Sequence, residues 1–155
     1  MARMEKIENL SGHAIVCGCG RVGGKVCEIL ERNKIPYVVI ERDKKVIGSL
    51  GARGANVIEG DATMSLNLRL AGIAKAKSLV AALDSDANNL FVLLTARELN
   101  KNLRIVARAF SEDAVSKMHR AGASVVVLPE VMGGLRLGHE LVRRKREFDV
   151  GKVGE

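Results

Sequence analysis

The sequence predicts a doubly wound α/β fold, a single domain built on one parallel sheet of about six strands. Short apolar runs rich in β-branched residues alternate with segments of helical periodicity along the chain. The runs carry almost no charge, which is typical of parallel strands that are buried on both faces. The chain has 155 residues, enough for one core and too few for two domains.

Six runs are predicted to be strands, at 14–18, 37–41, 56–60, 78–83, 104–109 and 124–128. The first helix follows the first strand, because apolar residues recur there at helical spacing from Val22 to Leu30. The remaining helices are expected at 44–54, 63–73, 85–99, 111–122 and 129–147. Right-handed crossovers from a central first strand give the strand order 3-2-1-4-5-6.

Several residues suit the ends of these helices. Thr63 and Ser111 are expected to be N-caps, Gly122 a C-terminal stop, and Pro129 part of a first helical turn. Outside the domain at 12–147, we expect residues 1–11 to be an incoming linker and residues 148–155 to be a flexible tail.

The segment "HAIVCGCGRVGGKV" joins the first strand to the first helix and has the spacing GxGxxG. In this context Gly18 allows a tight turn, Gly20 lets backbone amides approach a phosphate, and Gly23 lets the helix pack close to the strand. The positive end of the helix dipole then faces the anion. The pattern predicts a Rossmann-like nucleotide site, and a glycine turn without a ligand is the alternative.

An acid at the end of the second strand completes the pattern. Glu41 lies 41 − 23 = 18 residues after the last glycine, where such folds bind the ribose hydroxyls. Its charge disfavours the 2′-phosphate of NADP, although Arg42 lies beside it. Asp43 is the alternative acid if the strand is longer.

Other polar residues follow the strands on the same side of the predicted sheet. Arg21 lies in the glycine loop, where a guanidinium can bind a phosphate bidentately. Asp61 is expected near an adenine or a ribose, and Asp84 borders the cleft where the strand order reverses. The alternative for Asp61, Thr63 and Asp84 is helix capping.

The composition argues against several classes of protein. Aromatic residues make up 3% of the chain, which disfavours base stacking. The net charge is +7, but the run "RRKRE" at 143–147 is better explained as a solvated helix end than as a nucleic-acid contact. No apolar run reaches the roughly 20 residues of a membrane span, so we expect a soluble, intracellular chain.

The chemistry of an enzyme is not apparent. Cys17, Cys19 and Cys27 have neither a disulfide framework nor zinc-ligand spacing, and are expected to be small core residues in a reducing cytosol. The histidines, at 13, 119 and 139, are expected away from the nucleotide or on late helices. The sequence has no Ser-x-x-Lys, nucleophile-elbow or HExxH motif, and no substrate domain follows the nucleotide fold. Both observations favour a sensor over a catalyst.

The consecutive motifs "HAIVCGCGRVGGKVCEIL", "YVVIERD", "VIEGDAT", "AGIAKAKSLVAALDSDANNLFVLLTAREL", "RIVARA" and "AGASVVVLPEVMGG" resemble the RCK domain, the regulator of K⁺ conductance of the TrkA-N type. The resemblance covers about residues 12–140. The preceding "MEKIENLSGH" is similar to the linker between a channel pore and its RCK domain. The resemblance to the RCK family implies that the chain is a cytoplasmic regulator and not an enzyme. When joined to a pore, such a regulator lies at the inner face of the membrane.

In this family NAD(H), ATP, ADP or AMP binds at the glycine loop. The resemblance implies that the binding residues here are Gly18, Gly20, Arg21, Val22, Gly23, Glu41, Asp61, Ala62, Thr63 and Asp84. It also implies homodimers, commonly assembled into rings of eight, that act on a potassium channel pore or a transporter membrane subunit, and no nucleic-acid partner.

Some RCK domains bind Ca²⁺ through an aspartate at the position of Asp61 and two glutamates on the fifth strand. Here those strand positions are Arg108 and Phe110, which supply no oxygen ligand and add a positive charge. Ca²⁺ activation by this route is therefore not expected, and Arg108 favours an anion instead.

Two helices are more apolar than a single sheet requires. "NNLFVLLTAREL" has apolar residues around much of its surface, and "VMGGLRLGHELV" follows the last strand. The second helix is expected to cross to another subunit, and folding back on its own sheet is the alternative.

The leading hypothesis is that the chain is a nucleotide-sensing domain that gates a potassium channel or transporter. An NAD-dependent oxidoreductase fragment and a redox-sensing transcription regulator are the alternatives.

Overall fold

The structure, a computed structural model, describes residues 2–152, with side-chain environments from 3 to 143. One parallel sheet has the order β3-β2-β1-β4-β5-β6, which confirms the predicted topology. Its strands are β1 (Ala14–Cys17), β2 (Tyr37–Glu41), β3 (Asn56–Glu59), β4 (Ser78–Ala81), β5 (Arg104–Arg108) and β6 (Val125–Val127). The helices are α1 (Ala2–Glu8), α2 (Arg21–Arg32), α3 (Lys44–Ala52), α4 (Ser65–Leu70), α5 (Asp86–Leu99), α6 (Glu112–Arg120) and α7 (Pro129–Lys152).

Strand β1 lies at the centre of the sheet, and all four of its residues are buried. Alternate side chains point to opposite faces. Ile15 and Cys17 join one core cluster, while Ala14 and Val16 join a second cluster on the other face. Burying a side chain such as Ile15 stabilises the fold by about 1.5–3 kcal/mol. The apolar runs of the sequence are therefore explained by burial on both faces.

The carboxyl ends of the strands meet at one edge of the sheet, where the candidate site lies. β1 pairs with β2 on one side and with β4 on the other, so the loops after β1 and β4 leave toward opposite faces. A crevice opens between these loops, and the strand order places the glycine loop beside it.

Some predicted strands and helices are longer than the observed ones. β4 ends at Ala81 rather than at residue 83, because the side chain of Asn89 hydrogen-bonds both the N–H and the C=O of Leu83. Thr63 is not an N-cap: α4 begins at Ser65, and the Thr63 hydroxyl donates to Asp61.

Other predicted helix ends are confirmed. Pro129 is the first residue of α7, and Gly122 follows α6 with a φ of +108°. Ser111 occupies the N-cap position of α6 but makes no side-chain hydrogen bond to that helix. Its hydroxyl donates to Asp86 instead.

Both ends of the chain differ from the prediction. The expected linker at 1–11 contains helix α1, whose Ile7 is fully buried in the core. Helix α7 continues to Lys152, so the flexible tail expected from residue 148 is helical at its start. Residues 153–155 of that tail lie outside the described residues.

Helix α7 does not fold back on its own sheet. Five of its apolar side chains are solvent-exposed in the part where side chains are described: Met132, Leu135, Leu137, Leu141 and Val142. On α5, Val92 and Leu93 are buried, whereas Phe91 and Leu94 are 58% and 52% exposed. Each helix thus has an apolar surface that the described chain leaves uncovered. None of the helices between residues 2 and 152 combines the length and hydropathy needed to cross a bilayer.

We predict that Gly23→Ala destabilises the protein by about 3 kcal/mol, because overpacking a tight site has this cost. A Cβ at Gly23 would lie 2.0 Å from the carbonyl oxygen of Gly18. That oxygen belongs to the backbone, so it cannot rotate away as the end of a flexible side chain would. Gly24→Ala is the matched control, since a Cβ there meets nothing within 4 Å, and it should stabilise α2 by up to about 1 kcal/mol. Urea unfolding measures both changes, and equal stabilities for the two variants would contradict the packing described.

Candidate functional site

A cleft of about 570 Å³ opens at the carboxyl edge of the sheet. Five of the residues predicted from the sequence line it: Gly18, Gly20, Glu41, Asp61 and Asp84. They come from the ends of four strands that lie apart in the sequence. The topology therefore brings together residues that the sequence motifs identified separately.

The glycine loop forms one wall of the cleft. Gly18 has a φ of +86°, and a Cβ there would lie 2.9 Å from the carbonyl oxygen of Ala82. Gly20 precedes α2, and a Cβ there would meet nothing within 4 Å. No side chain caps the amino end of α2, and its first turn has no acid. The first amides of α2 are thus available to an anion.

Glu41 connects the end of β2 to the glycine loop. Its Oε2 accepts a hydrogen bond of 2.7 Å from the N–H of Cys19, and its Oε1 accepts from the N–H groups of Arg42 and Asp43 at 2.7 and 2.9 Å. The carboxylate therefore fixes the loop relative to the sheet. Oε2, which accepts this one bond from Cys19 N–H, retains a further lone pair for a ligand hydroxyl. The alternative acid, Asp43, lines the cleft and caps α3 by accepting from Lys45 N–H.

Asp61 lies after β3 and is held by its own loop. Its Oδ1 accepts from the N–H and the hydroxyl of Thr63 at 2.9 and 2.7 Å. Its Oδ2 lies 3.9 Å from Nη1 of Arg42. The hydrogen bonds from Thr63, and then the positive charge of Arg42, hold the pKa of Asp61 below its usual range. Asp61 is thus a fixed anion at the cleft, and Ala62 beside it is buried.

The end of β4 supplies another wall. Asp84 is exposed and lines the cleft, while Ser85 caps α5 by accepting from Asn88 N–H at 3.2 Å. Asn89 is fully buried and donates to the carbonyl oxygens of Leu83 and Arg108. It ties the carboxyl ends of β4 and β5 together beneath the cleft.

Arg108 ends β5 and lines the cleft from the far side. Its guanidinium lies over the ring of Phe110, 4.2 Å from the centroid, and pairs with Glu130 of α7. No cluster of three histidine, cysteine or acidic residues suited to a metal ion occurs among the residues the structure describes. At this site the strand presents a cation in place of the acids that would bind Ca²⁺.

Three predicted residues of the glycine loop lie elsewhere. The side chains of Arg21 and Val22 line a shallow apolar groove on the outer face of α2, together with Val26 and Ile29. Gly23 lies in the packed contact between α2 and the loop. The predicted contact of Arg21 with a phosphate is therefore not made by the observed side-chain position and stays a prediction.

Several residues of the site were missed by sequence reasoning. Val46 and Asn88 line the cleft, and Asp86 accepts from the N–H groups of Phe110 and Ser111 at 2.7 and 3.1 Å. The polar run "DSDANN" after β4 indicated that some of its side chains bind backbone groups. It did not indicate the strand to which those backbone groups belong.

The three thiols are buried, as predicted for core residues. Burial raises the pKa of Cys17 to about 12. Cys19 and Cys27 have their sulfur atoms 3.8 Å apart, and the contact lowers the pKa of Cys19 and raises that of Cys27. His13 is also buried, with Nε2 2.7 Å from the carbonyl oxygen of Ala71, at the amino end of β1. No histidine lines the cleft.

Known proteins share this sequence pattern. The model of the TrkA-N domain family matches residues 14–129. Potassium channel protein 1 of Methanocaldococcus jannaschii is 38% identical over 161 residues, which cover 95% of this chain and 48% of that protein. The chain thus spans about half the length of this relative.

Solved structures share the fold. The TrkA-N domain of inner membrane protein YbaL from Escherichia coli has a TM-score of 0.80 at 32% identity, covering 86% of this chain and 98% of that one. GsuK bound to ADP has a TM-score of 0.76 at 32% identity, covering 91% and 37%. The GsuK channel bound to NAD has a TM-score of 0.70 at 26% identity, covering 77% and 22%. Since the family model matches well over half of its residues, the chain belongs to the TrkA-N domain family, as its resemblance to RCK domains predicted.

Proposed function

We propose that this chain is a ligand-sensing regulatory domain that binds a nucleotide and gates a potassium channel or transporter. The observation that carries the proposal is the cleft of about 570 Å³, which joins the glycine loop, the uncapped amides of α2 and the carboxylate of Glu41. Its volume lies within the range of small-molecule sites, roughly 300–1,000 Å³. Its donors suit a phosphate at one end and its acceptors suit a ribose at the other.

The ligand is NAD(H) or an adenine nucleotide, ATP, ADP or AMP. All of these place a phosphate next to an adenosine. Glu41 and Asp61 line the cleft as acceptors for hydroxyls, and their charge disfavours a 2′-phosphate. Relatives of this fold have been solved with ADP and with NAD. We assign the phosphate to Gly18, Gly20 and the start of α2, with Arg21 reaching it after a side-chain rotation.

Gating requires a membrane partner. The relative named above is a potassium channel protein, and this chain spans about half of its length. We place the domain in the cytoplasm, at the inner face of the membrane, with the segment 1–11 on the side of the pore. Ligand binding shifts the population toward the arrangement that binds it better.

Assembly follows from the uncovered apolar surfaces. Leu137 and Leu141 on α7 are 71% and 75% exposed, and Phe91 on α5 is 58% exposed. Apolar side chains grouped in this way mark interaction surfaces. We propose that α7 crosses to a second copy to form a homodimer, which assembles further into a ring of up to eight.

A role as an enzyme is not favoured. None of the described residues that line the cleft is a histidine or a cysteine in position for general acid–base or nucleophilic chemistry.

Calorimetric titration with NADH, ATP, ADP, AMP and Ca²⁺, followed by the solution mass with and without the tightest ligand, tests the proposal. Nucleotide binding without turnover, in an oligomer, supports it. Oxidation of NADH with a carbonyl substrate, or salt-dependent binding to a DNA duplex, would point to one of the alternatives.

We predict that Gly20→Asp abolishes nucleotide binding and leaves the fold intact. The structure has room for the new side chain, whose carboxylate would occupy the phosphate position. Gly20→Asn is the matched control, because it has the same size without the charge and should retain more affinity. Calorimetry measures binding and circular dichroism checks the fold. A Gly20→Asp variant that binds as tightly as the parent would exclude this loop from the site.

We predict that Glu41→Ala weakens the binding of ribose-containing ligands far more than that of free phosphate. The variant loses the acceptor for the ribose, while the amides of α2 remain. Glu41→Gln is a useful second variant, because it keeps an acceptor oxygen for Cys19 N–H. Titration with AMP and with inorganic phosphate compares the losses, and equal losses would remove Glu41 from the ribose role.

We predict that Thr63→Val raises the pKa of Asp61, because the variant loses a hydroxyl donor to Oδ1. A depressed carboxylate pKa contributes stability above the unfolded value near 3.8, and this contribution is lost as the pH falls through the folded pKa. The variant should therefore lose less stability than the parent on acidification below that value. Carbon-13 NMR titration of Asp61 measures the shift, with Thr63→Ser as the control. An unchanged pKa in Thr63→Val would show that the hydroxyl has no role.

A further inference from the structure

An ion pair connects the cleft to helix α7. Arg108, the last residue of β5, pairs through Nη2 with Oε1 of Glu130, the second residue of α7. The arginine side chain is 15% exposed and the glutamate side chain is 54% exposed. The pair thus lies at the rim of the cleft, with its cation on the inner side and its anion on the outer side.

Besides Glu130, the ring of Phe110 holds the guanidinium, and a backbone hydrogen bond holds the end of β5. The ring of Phe110 supports the face of the guanidinium. The carbonyl oxygen of Arg108 accepts a bond of 3.0 Å from the buried Asn89, which fixes the end of β5. Its Nε is buried and has no hydrogen-bond partner among the described residues. The pair with Glu130 therefore leaves the guanidinium incompletely satisfied, and a bidentate acceptor that took both Nε–H and Nη2–H would displace Glu130 from Nη2.

The charges around the cleft make this arginine the natural counterion of a phosphate. Four acids line the cleft: Glu41, Asp43, Asp61 and Asp84. Arg42, the other cation in the lining, is 72% exposed and faces Asp61. Arg108 is far less exposed, so an anion that binds to it is less screened by water. A bidentate guanidinium also matches the geometry of a phosphate.

We infer that a phosphoryl group of the bound nucleotide competes with Glu130 for Arg108, so that occupation of the cleft releases the first turn of α7 from β5. The inference rests on the proposed function and gives it a route from ligand to helix. A ligand shifts a conformational equilibrium only by its differential affinity for the two states. Here the difference is one guanidinium, which binds either the helix or the phosphate.

The helix that this pair restrains is the one with the uncovered apolar side chains. Leu137 and Leu141 lie on α7 beyond the pair. Release of the first turn therefore changes the orientation of an apolar surface without any change in the sheet. The cleft and the assembly surface become coupled through a single contact.

A double-mutant cycle tests the competition. Glu130→Gln removes the competitor and should tighten AMP and ADP binding about threefold, the size expected of an exposed ion pair. Adenosine binding should not change. Arg108→Gln should weaken AMP and ADP binding about tenfold or more, and adding Glu130→Gln to it should then have no effect. If Arg108→Gln does not fold, Arg108→Lys takes its place in the cycle, because lysine keeps the positive charge but cannot bind a phosphate bidentately.

Matched controls separate this effect from net charge. Glu140→Gln removes an acid from the same helix, where Glu140 pairs with Arg136 at 2.8 Å. Arg104→Gln removes an arginine from the opposite end of β5. Both controls should bind AMP and ADP as the parent does. Unfolding curves of each variant show whether it is folded during the titration.

The release of α7 is measured with spin labels on Ser116→Cys of α6 and His139→Cys of α7. Both positions are exposed, and the native thiols are buried. ADP should change the distance distribution in the labelled parent, and Glu130→Gln without ligand should shift it in the same direction. In Arg108→Gln the distribution should no longer respond to ADP.

The outcomes separate the two proposals. A parent chain that binds no nucleotide overturns the proposed function, and this inference with it. A parent that binds ADP, with Glu130→Gln no tighter than Glu140→Gln or with a distance distribution that ADP does not change, overturns the inference alone.

Discussion

The close contact between Gly23 and Gly18 is the constraint on which the rest of the site depends. A Cβ at Gly23 would lie 2.0 Å from the carbonyl oxygen of Gly18, so only glycine lets α2 begin so near the end of β1. The positive φ of Gly18 turns the chain at the same point. Together they direct the amides of α2 into the cleft, where the N–H of Cys19 also binds Glu41. The same two glycines thus place the uncapped amides of α2 and attach the neighbouring acid to the loop.

The sheet places the remaining residues because β1 is buried on both faces. Its neighbours are β2 and β4, and the chain reaches them from opposite sides. Glu41 and Asp84 therefore face each other across the loop after β1, although 43 residues (84 − 41) separate them in the sequence. Because the apolar residues of β1 must be covered on both sides, helices pack on both faces of the sheet. The loops that lead to these helices leave the sheet in opposite directions, and the crevice opens between them.

The sequence was sufficient for the strand order and for the residues at the strand ends, because burial on both faces and glycine geometry are local signals. It was insufficient where a side chain binds a distant backbone group. Asn89 shortens β4 through Leu83, and Thr63 serves Asp61 rather than α4. Helix α1 was missed because only Ile7, with Met4 partly buried against the same core, packs inward from a segment that is otherwise largely charged. Arg108 was identified as a cation at the fifth strand, but its pairing with Glu130 depends on where α7 begins in space.

The difference in polarity between the two surfaces supports the regulatory role that we propose. Three of the charged residues that line the cleft already have partners: Glu41 accepts from backbone N–H groups, Asp61 accepts from Thr63, and Arg108 pairs with Glu130. A ligand would bind such a group through a lone pair that remains, as on Oε2 of Glu41, or by replacing a contact within the protein. Helix α7, by contrast, exposes leucines that gain most from being covered. Arg108 lines the cleft and pairs with Glu130 at the start of α7, so in the mechanism that we propose a change of partner in the polar cleft acts on a much larger apolar surface.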